Sequence, residues 1–348
     1  MTRGEPAADP RFSRQVRFAP LGPDGQASLL QARALLVGAG ALGTHIADAL
    51  VRAGVGELWL VDRDVVEVDN LPRQILFTEE DAAEGRPKAH AAAARLAAVR
   101  AECQLHPMAE EFDAETFARL PTPDVILDGT DNFATRYLIN DLAHRAGIPW
   151  VYGGAVGARG TAMAVLPGET PCLRCLVPQA PPAGEIANCE TAGVLAPAVA
   201  MVAAFQTAQA LKILSGRSAD VARGALDVDV WNDRYALRLA DGRPAADCVA
   251  CGAGEYPALQ PGHRSATRLC GRRAVQVQPP NGATLDLERI AAGLAPLAQD
   301  LQLTPHLLRF SIEGCRFSVF RGGRALLFGV DEPTRAQILY DRYVGTAG

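Results

Sequence analysis

The sequence predicts an α/β protein built on a Rossmann-like, doubly wound sheet, with a small α+β domain at its C-terminal end. Over the first 150 residues, short apolar segments alternate with helix-length segments of apolar periodicity, a pattern typical of β-α-β units. A Gly-x-Gly-x-x-Gly segment lies between the first such strand and its helix. Four of the eight cysteines form two Cys-x-x-Cys pairs, which predicts a structural four-cysteine zinc site in the same domain.

The predicted elements can be placed along the chain from the period of the apolar residues. Strands are expected at residues 34–37, 58–61, 104–108 and 125–127. Helices are expected from the glycine segment to residue 53, and at 87–101, 114–120 and 134–146. Beyond residue 150, we expect strand pairs at 150–154 with 161–166 and at 225–230 with 235–239, and a long apolar helix at 196–214. Alternation of this kind predicts a parallel sheet with helices on both faces.

Consecutive segments of different composition predict the domain organisation. Residues 1–10 are polar with Pro and Ala, and we expect them to be disordered, whereas residues 11–252 form the main domain. A Gly/Pro-rich linker at 253–262 leads to an α+β extension at 263–348, whose role the sequence does not show. The pattern of this extension predicts a strand, a helix, a hairpin and a helix.

The composition limits the class of protein. The chain has 348 residues, 49% of them apolar, and a net charge of −5, so it lacks the basic balance of a nucleic-acid-binding protein. Its apolar stretches are shorter than the ~20 residues that cross a bilayer, and the N-terminus has no apolar signal core. We therefore expect a cytoplasmic protein that binds neither nucleic acid nor membrane.

The glycine segment predicts a nucleotide site. Gly38, Gly40 and Gly43 allow the backbone to approach a phosphate at the N-terminus of the following helix. Asp62 ends the next strand, where its carboxylate can accept hydrogen bonds from ribose hydroxyls. Alone, this pattern favours NAD as the ligand. Gly43 also has a structural alternative, which is to allow close packing of the helix against the strand.

Polar residues beyond Asp62 change this interpretation. Asn70, Arg73 and Gln74 follow the ribose-binding strand, and Lys88 lies near the start of the next predicted helix. Cations at the phosphates are expected in an enzyme that handles ATP, because charge spreads over the triphosphate as pyrophosphate leaves. The alternative for Arg73 and Lys88 is a pair of solvated surface charges.

A further polar segment ends the strand at 125–127. Asp128, Asp131 and Asn132 fall at the carboxyl edge of the sheet, where folds of this kind place their ligands. A carboxylate there can hold the Mg²⁺ that bridges ATP oxygens. One of these residues can instead cap the helix that starts near residue 134.

The paired cysteines, Cys172 with Cys175 and Cys248 with Cys251, suit a tetrahedral zinc site. Four thiolates leave no open coordination position, so we expect a structural role. The metal would attach the loop that carries the second cysteine pair to the main domain. A redox pair is the alternative. It is disfavoured because neither pair opens a helix directly after a strand.

Taken together, the motifs over residues 11–252 resemble those of the MoeB/ThiF/HesA family of bacterial ubiquitin-activating-enzyme-like adenylyltransferases. The resemblance rests on eight features in the same order, which are Arg11-Phe-Ser-Arg14-Gln15, Gly38 to Gly43, Asp62-Arg-Asp64, Asn70 to Gln74, Gly85 to Lys88, Asp128 to Asn132, the two Cys-x-x-Cys pairs, and Cys189 to Val194.

The resemblance implies a role for each matching residue in the nucleotide site. Asp62 would hold the ATP ribose, Arg73 and Lys88 the phosphates, and Asp131 the Mg²⁺. The rest of the implied nucleotide site comprises Gly38, Gly40, Gly43, Asp64, Asn70, Gln74 and Asn132.

Two further residues receive roles that reach beyond one nucleotide site. Arg14 matches a family arginine that reaches the ATP of the other subunit, which implies an obligate homodimer. Cys189 matches a cysteine that, in some relatives, links covalently to the carrier; an ordinary loop cysteine is the alternative.

The implied reaction is the ATP-dependent adenylylation of the C-terminal glycine of a ubiquitin-like sulfur-carrier protein ending in Gly-Gly, with release of pyrophosphate. The carrier would be MoaD-like or ThiS-like, serving molybdenum-cofactor or thiamine biosynthesis, with a cysteine desulfurase or a rhodanese as a candidate sulfur donor. No general base is needed, because the glycine carboxylate is ionised at neutral pH. The alternatives are an NAD(P)-dependent oxidoreductase and a non-catalytic pseudoenzyme.

Overall fold

The computed structural model describes residues 9–179, 192–239, 244–260, 274–277 and 285–345. The chain folds into two units, of which the first comprises Met1–Ala82 and Pro87–His263 and the second Ala83–Arg86 and Arg264–Gly348. Within the segment expected to be disordered, Asp9 caps a short 3-10 helix at Pro10–Phe12. Within the expected linker, Pro257–Leu259 form another 3-10 helix, which belongs to the first unit.

The elements of the first unit follow the predicted order. Its strands are β1 (Arg33–Val37), β2 (Glu57–Val61), β3 (Gln104–Met108), β4 (Val125–Asp128), β5 (Trp150–Val156), β6 (Arg159–Val165), β7 (Gly224–Asp229) and β8 (Arg234–Leu239). The α-helices up to residue 214 are α1 (Ser13–Val16), α2 (Gly22–Gln31), α3 (Ala41–Ala53), α4 (Glu79–Glu84), α5 (Lys88–Val99), α6 (Ala114–Arg119), α7 (Phe133–Ala146), α8 (Leu173–Leu176) and α9 (Ala196–Leu214). Four of these helices, α1, α2, α4 and α8, are not among the predicted elements.

The sheet of the first unit confirms the predicted doubly wound fold. Its eight strands, counted within the described residues, lie in the order β3-β2-β1-β4-β5-β6-β7-β8. The strands from β3 to β5 are parallel, and β5 to β8 pair antiparallel. The parallel part has the strand order of mononucleotide-binding folds. Val37 pairs with both Val61 and Asp128, so β1, β2 and β4 end at the same edge of the sheet.

Helices cover both faces of the sheet, as predicted. Along β1, Ala34 and Leu36 enter a core with residues of α3, α5 and α9, whereas Leu35 and Val37 enter a second core with residues of α7. This alternation follows from the two-residue period of a strand. Both faces are apolar because a parallel sheet is buried on both sides.

Helix α9 belongs to the core of the first unit. Among the described residues it is the one helix long and apolar enough to cross a membrane by length and composition, and half of its apolar window is buried inside the structure. It packs against β5, β6 and α3. Its Gln206 is fully buried and donates hydrogen bonds to the backbone oxygens of Asp128 and Val151. These contacts are those of a core helix.

The second unit contains more strands than predicted. It comprises β9 (Ala274–Val277), α10 (Leu287–Leu294), β10 (Gln299–Leu303), β11 (Leu307–Ile312), β12 (Cys315–Phe320), β13 (Ala325–Phe328) and α11 (Pro333–Tyr343). In the part of the chain that is described, these strands form an antiparallel sheet of order β10-β11-β12-β13-β9. The expected hairpin is β11 and β12, but β10 and β13 flank it. β10 is hard to predict because nearly all of its residues are exposed, so it lacks an apolar alternation.

Candidate functional site

The glycine loop joins β1 to the N-terminus of α3. Gly38 has a positive φ of 91°, and its N–H donates to the Val61 oxygen, which fixes the loop against β2. A Cβ at Gly43 would lie 1.9 Å from the Gly38 oxygen, so Gly43 has the packing role that was the structural alternative. At Gly40 the nearest atom to a Cβ would be 3.7 Å away. Gly40 is the N-cap of α3 and carries no capping side chain, so the first N–H groups of α3 can face an anion.

Asp62 is held against this loop. One of its carboxylate oxygens accepts from the Ala39 N–H at 2.7 Å, and the other accepts from the Asp64 N–H at 2.7 Å. Burial raises the pKa of Asp62, and the Lys88 ammonium opposes that shift. Each oxygen keeps further lone pairs, so the carboxylate can also accept hydrogen bonds from ribose hydroxyls.

Lys88 is brought to the same edge by the backbone. A bridge between Val65 and Pro87 places the start of α5 beside the segment that follows β2, and the Lys88 N–H donates to the Asp64 oxygen at 2.8 Å. The Lys88 Nζ lies 3.6 Å from an Asp64 carboxylate oxygen, and its side chain is only 9% exposed. Lys88 is therefore not the solvated surface charge of the alternative interpretation.

The segment between Asp62 and Lys88 is locally ordered. Asn70 is buried, and its Oδ1 accepts from the Glu67 N–H within a capping box of a 3-10 helix at Val68–Asn70. Arg73 is partly buried and donates from Nη1 to the Asp69 oxygen at 2.6 Å. Gln74 is 4% exposed, and its Oε1 is buried without a hydrogen-bond partner among the described residues. A ligand that donates a hydrogen bond would satisfy this oxygen.

The loop after β4 touches the glycine loop and carries Asp131. A Cβ at Gly38 would lie 2.7 Å from Gly129, so the two loops are in contact. Asn132 is the N-cap of α7, because its Oδ1 accepts from the Thr135 N–H at 2.9 Å. Asp131, one residue earlier, is exposed. The cap interpretation therefore holds for Asn132, which leaves Asp131 available to a ligand.

A buried ion pair that was not predicted supports this loop. The Arg136 Nε lies 3.1 Å from a carboxylate oxygen of Asp128, with the two side chains 8% and 0% exposed. Arg136 Nη2 also donates to the backbone oxygens of Thr130 and Gly153. Burial raises the pKa of Asp128, and the Arg136 guanidinium opposes that shift. The sequence carries no local signal for this pair, because an arginine in the first turn of a helix is usually solvated.

Arg14 lies at the far end of α3 from the glycine loop. Its neighbour Gln15 donates from Nε2 to the Ala53 oxygen at 2.8 Å, while Phe12 is buried beside Gly54. Since α3 spans 13 residues, these two ends are about 18 Å apart. Arg14 itself is exposed. Within the described part of the chain, the structure does not bring Arg14 to the other predicted residues.

The cysteines of the two pairs converge on one point. The ligand atoms of Cys172, Cys175, Cys248 and Cys251 all lie within 4.8 Å of one another. Their closest sulfur–sulfur distances are 3.3, 3.6 and 3.9 Å. A tetrahedral zinc site with bonds of about 2.3 Å requires sulfurs about 3.8 Å apart, so the donor set fits zinc. Burial raises the pKa of Cys172 to about 12, so that thiol ionises at neutral pH only when a metal displaces its proton.

Cys189 lies outside the described residues. The remaining predicted residues, Arg14 excepted, are distributed between the edge of the parallel sheet and the cysteine cluster. A glycine loop at a helix N-terminus, a carboxylate at the adjacent strand end, and a buried lysine beside it are typical of nucleotide-binding proteins with a Rossmann-type fold.

Comparison with known proteins defines the class further. The sequence profile of the ThiF family matches residues 12–250, and the chain belongs to this family. It is 40% identical to the sulfur carrier protein ThiS adenylyltransferase of Bacillus subtilis (strain 168), over 96% of this chain and 99% of that protein. It is 37% identical to a sulfur carrier protein adenylyltransferase of Thermus thermophilus, over 70% of this chain and 90% of that protein. The chain is accordingly an adenylyltransferase.

Solved structures share the fold. Escherichia coli MccB, crystallised with ATP, superposes with a TM-score of 0.61 and 24% sequence identity, over 71% of this chain and 76% of MccB. At that level of identity the likeness concerns the fold alone.

Proposed function

We propose that this protein adenylylates the C-terminal glycine of a ubiquitin-like sulfur-carrier protein. The glycine carboxylate attacks the α-phosphorus of ATP, the bond between the α-phosphorus and the bridging oxygen breaks, and pyrophosphate leaves. The observation that carries the proposal is the meeting of the Gly38, Asp62 and Asp131 segments at one sheet edge in a chain that matches a ThiS adenylyltransferase over nearly its whole length. That match favours a ThiS-like carrier, and thus thiamine biosynthesis, over a MoaD-like carrier.

The residues at the sheet edge supply the groups that the reaction requires. The open N-terminus of α3 and the side chains of Arg73 and Lys88 would stabilise the phosphates, and Asp62 would hold the ribose. Asp131 would hold the Mg²⁺, which supplies charge neutralisation of the phosphate oxygens when it is bound. The Oε1 of Gln74, which has no hydrogen-bond partner among the described residues, supports a ligand at this site, because a buried acceptor without a partner costs free energy until a donor reaches it.

A carrier-driven exchange of pyrophosphate into ATP tests this reaction. We expect exchange with a purified ThiS-like carrier ending in Gly-Gly, less exchange with a MoaD-like carrier, and none without a carrier. Asp131→Asn should abolish exchange, whereas Asp220→Asn, at an exposed aspartate in a 3-10 helix, should not change it. The Cys189→Ser variant should retain exchange, because adenylylation depends on the ATP-binding residues and not on this thiol. Nucleotide binding without exchange would identify a pseudoenzyme, and binding of NAD without ATP an oxidoreductase.

The position of Arg14 supports a homodimer with composite sites. Arg14 adjoins Gln15, which is anchored at the far end of α3, so it cannot reach the nucleotide of its own chain, but a two-fold partner can present it. Mixing inactive Arg14→Ala and Arg73→Ala chains tests this directly. Random pairing gives half heterodimers with one intact site each, so about a quarter of the wild-type activity should return. No recovery on mixing would mean that Arg14 acts within its own chain.

Zinc is the proposed occupant of the cysteine cluster, in a structural role. Four soft sulfur donors at tetrahedral spacing suit zinc, and they leave no open position for substrate. Metal analysis after gentle purification should give one zinc per chain. A content far below one, with exchange activity intact, would overturn this assignment.

A further inference from the structure

Helix α7 is shared by the nucleotide loop and the cysteine cluster. At its N-terminus, Asn132 caps the helix directly after Asp131, and Arg136 in the next turn pairs with Asp128. The position of Asp131 therefore depends on where α7 begins.

Further along α7, three side chains hold the segment that contains Cys172 and Cys175. The Asn140 Oδ1 accepts from the Leu173 N–H at 3.0 Å, and the Tyr137 hydroxyl donates to the Val177 oxygen at 2.8 Å. Asp141 accepts from the Nε and Nη2 of Arg174 at 2.9 and 2.8 Å. Leu173 and Arg174 lie between the two cysteines, so these contacts attach the first Cys-x-x-Cys to the helix.

Asp141 also contacts the chain beyond the second cysteine pair. Its Oδ2 accepts from the Ala258 N–H at 2.9 Å, in the segment that follows Cys251. Asp141 is fully buried, and Arg174 is only 10% exposed. A carboxylate in such surroundings depends on its donors, because a buried charge without a partner is strongly unfavourable. Displacement of Arg174 from the cluster would therefore displace α7 as well.

We propose that Asp141 and Arg174 are positioning residues that couple metal binding at the cysteine cluster to the placement of Asp131. The proposal rests on the function proposed above, since its ligand at the sheet edge is MgATP. Metal at the cluster holds Arg174, Arg174 holds Asp141, and α7 in turn holds the loop that presents Asp131. Because coupling between two binding sites is reciprocal, bound MgATP must strengthen the retention of zinc.

The rate of zinc transfer to an excess of a chromophoric chelator tests this coupling in the zinc-loaded protein. We expect MgATP, at constant free Mg²⁺ and without carrier, to slow zinc release by about fivefold. Asp141→Asn retains the side-chain shape and an acceptor for Ala258 but removes the ion pair. In this variant zinc release should be faster, the effect of MgATP should disappear, and the kcat of exchange should fall at an unchanged KM for the carrier.

Two further variants separate positioning from general stability. Arg174→Lys should restore part of the MgATP effect that Arg174→Gln removes, because the cation is kept. Arg223→Gln, which breaks an exposed ion pair with Glu169 in the same unit, should behave as the wild type. Equal zinc release with and without MgATP, in wild-type protein that is active in exchange, would overturn the proposal. Absence of carrier-driven exchange would instead overturn the proposed function.

Discussion

Removal of the Arg136 guanidinium should destabilise the first unit strongly. The Arg136→Gln variant would leave Asp128, which is fully buried, without its cation, and would remove the donor to the Thr130 and Gly153 oxygens. Breaking a buried pair in this way lowers the free energy of unfolding by about 3–5 kcal/mol. It should also lower the kcat of pyrophosphate exchange roughly ten- to a hundredfold, because Asp131 lies in the loop that Arg136 supports.

Tryptophan fluorescence during urea unfolding measures the stability effect. All three tryptophans, Trp59, Trp150 and Trp231, belong to the first unit, so the signal reports on that unit. The matched control is Arg238→Gln, whose ion pair has side chains 74% and 42% exposed and should contribute about 0–1 kcal/mol.

A double-mutant cycle identifies the source of the Arg136 effect. Adding Asp128→Asn to Arg136→Gln removes the unpaired charge, so the double variant should be more stable than the sum of the single effects by about 1–3 kcal/mol. The reasoning would be refuted if Arg136→Gln cost no more than the Arg238→Gln control, or if the two changes at the buried pair were additive.

The other predictions concern the loops and the metal. Gly43→Ala should prevent stable folding of the loop, since its Cβ would lie 1.9 Å from a backbone oxygen, whereas Gly40→Ala should fold and show weaker ATP binding by calorimetry. Asn132→Ala should lose about 1 kcal/mol of stability in urea unfolding, and Asn132→Asp should keep it, because either oxygen can accept the Thr135 N–H. Cys172→Ser should lower both the zinc content and the melting temperature, and an unchanged melting temperature would contradict a structural metal.

Much of the first unit could be predicted because its sequence pattern and its structure agree. The ends of β3 and α9 coincide with the predicted ranges, and the order of strands and helices follows from alternation alone. Helix α2 escaped prediction because it begins with Gly22 and Pro23, residues that usually mark loops. Strand β10 was not predicted because nearly all of its residues are exposed, so it lacks the apolar alternation that identifies a strand.

The parts of the candidate site that consist of local sequence motifs could be predicted, whereas residues whose role depends on burial could not. The cysteine pairs and the glycine loop are recognised by residue spacing, which the sequence shows directly. Arg136 and Gln206 have no such spacing pattern, and a single arginine or glutamine on a helix is usually solvated. Only the packing of α7 and α9 against the ends of β4 and β5 makes them internal partners of the sheet edge.

The structure also explains why the structural and functional interpretations of single residues do not compete at this site. Gly43 packs the loop and Asn132 caps α7, and each keeps a neighbouring group in place for a ligand. Asp62 is held by two backbone N–H groups. Acyl adenylation needs no proton transfer from its nucleophile, so its rate depends on fixed charges around a spreading negative charge. A rigid support with Asp131 left exposed meets that requirement, because the charges need little reorganisation when ATP reacts.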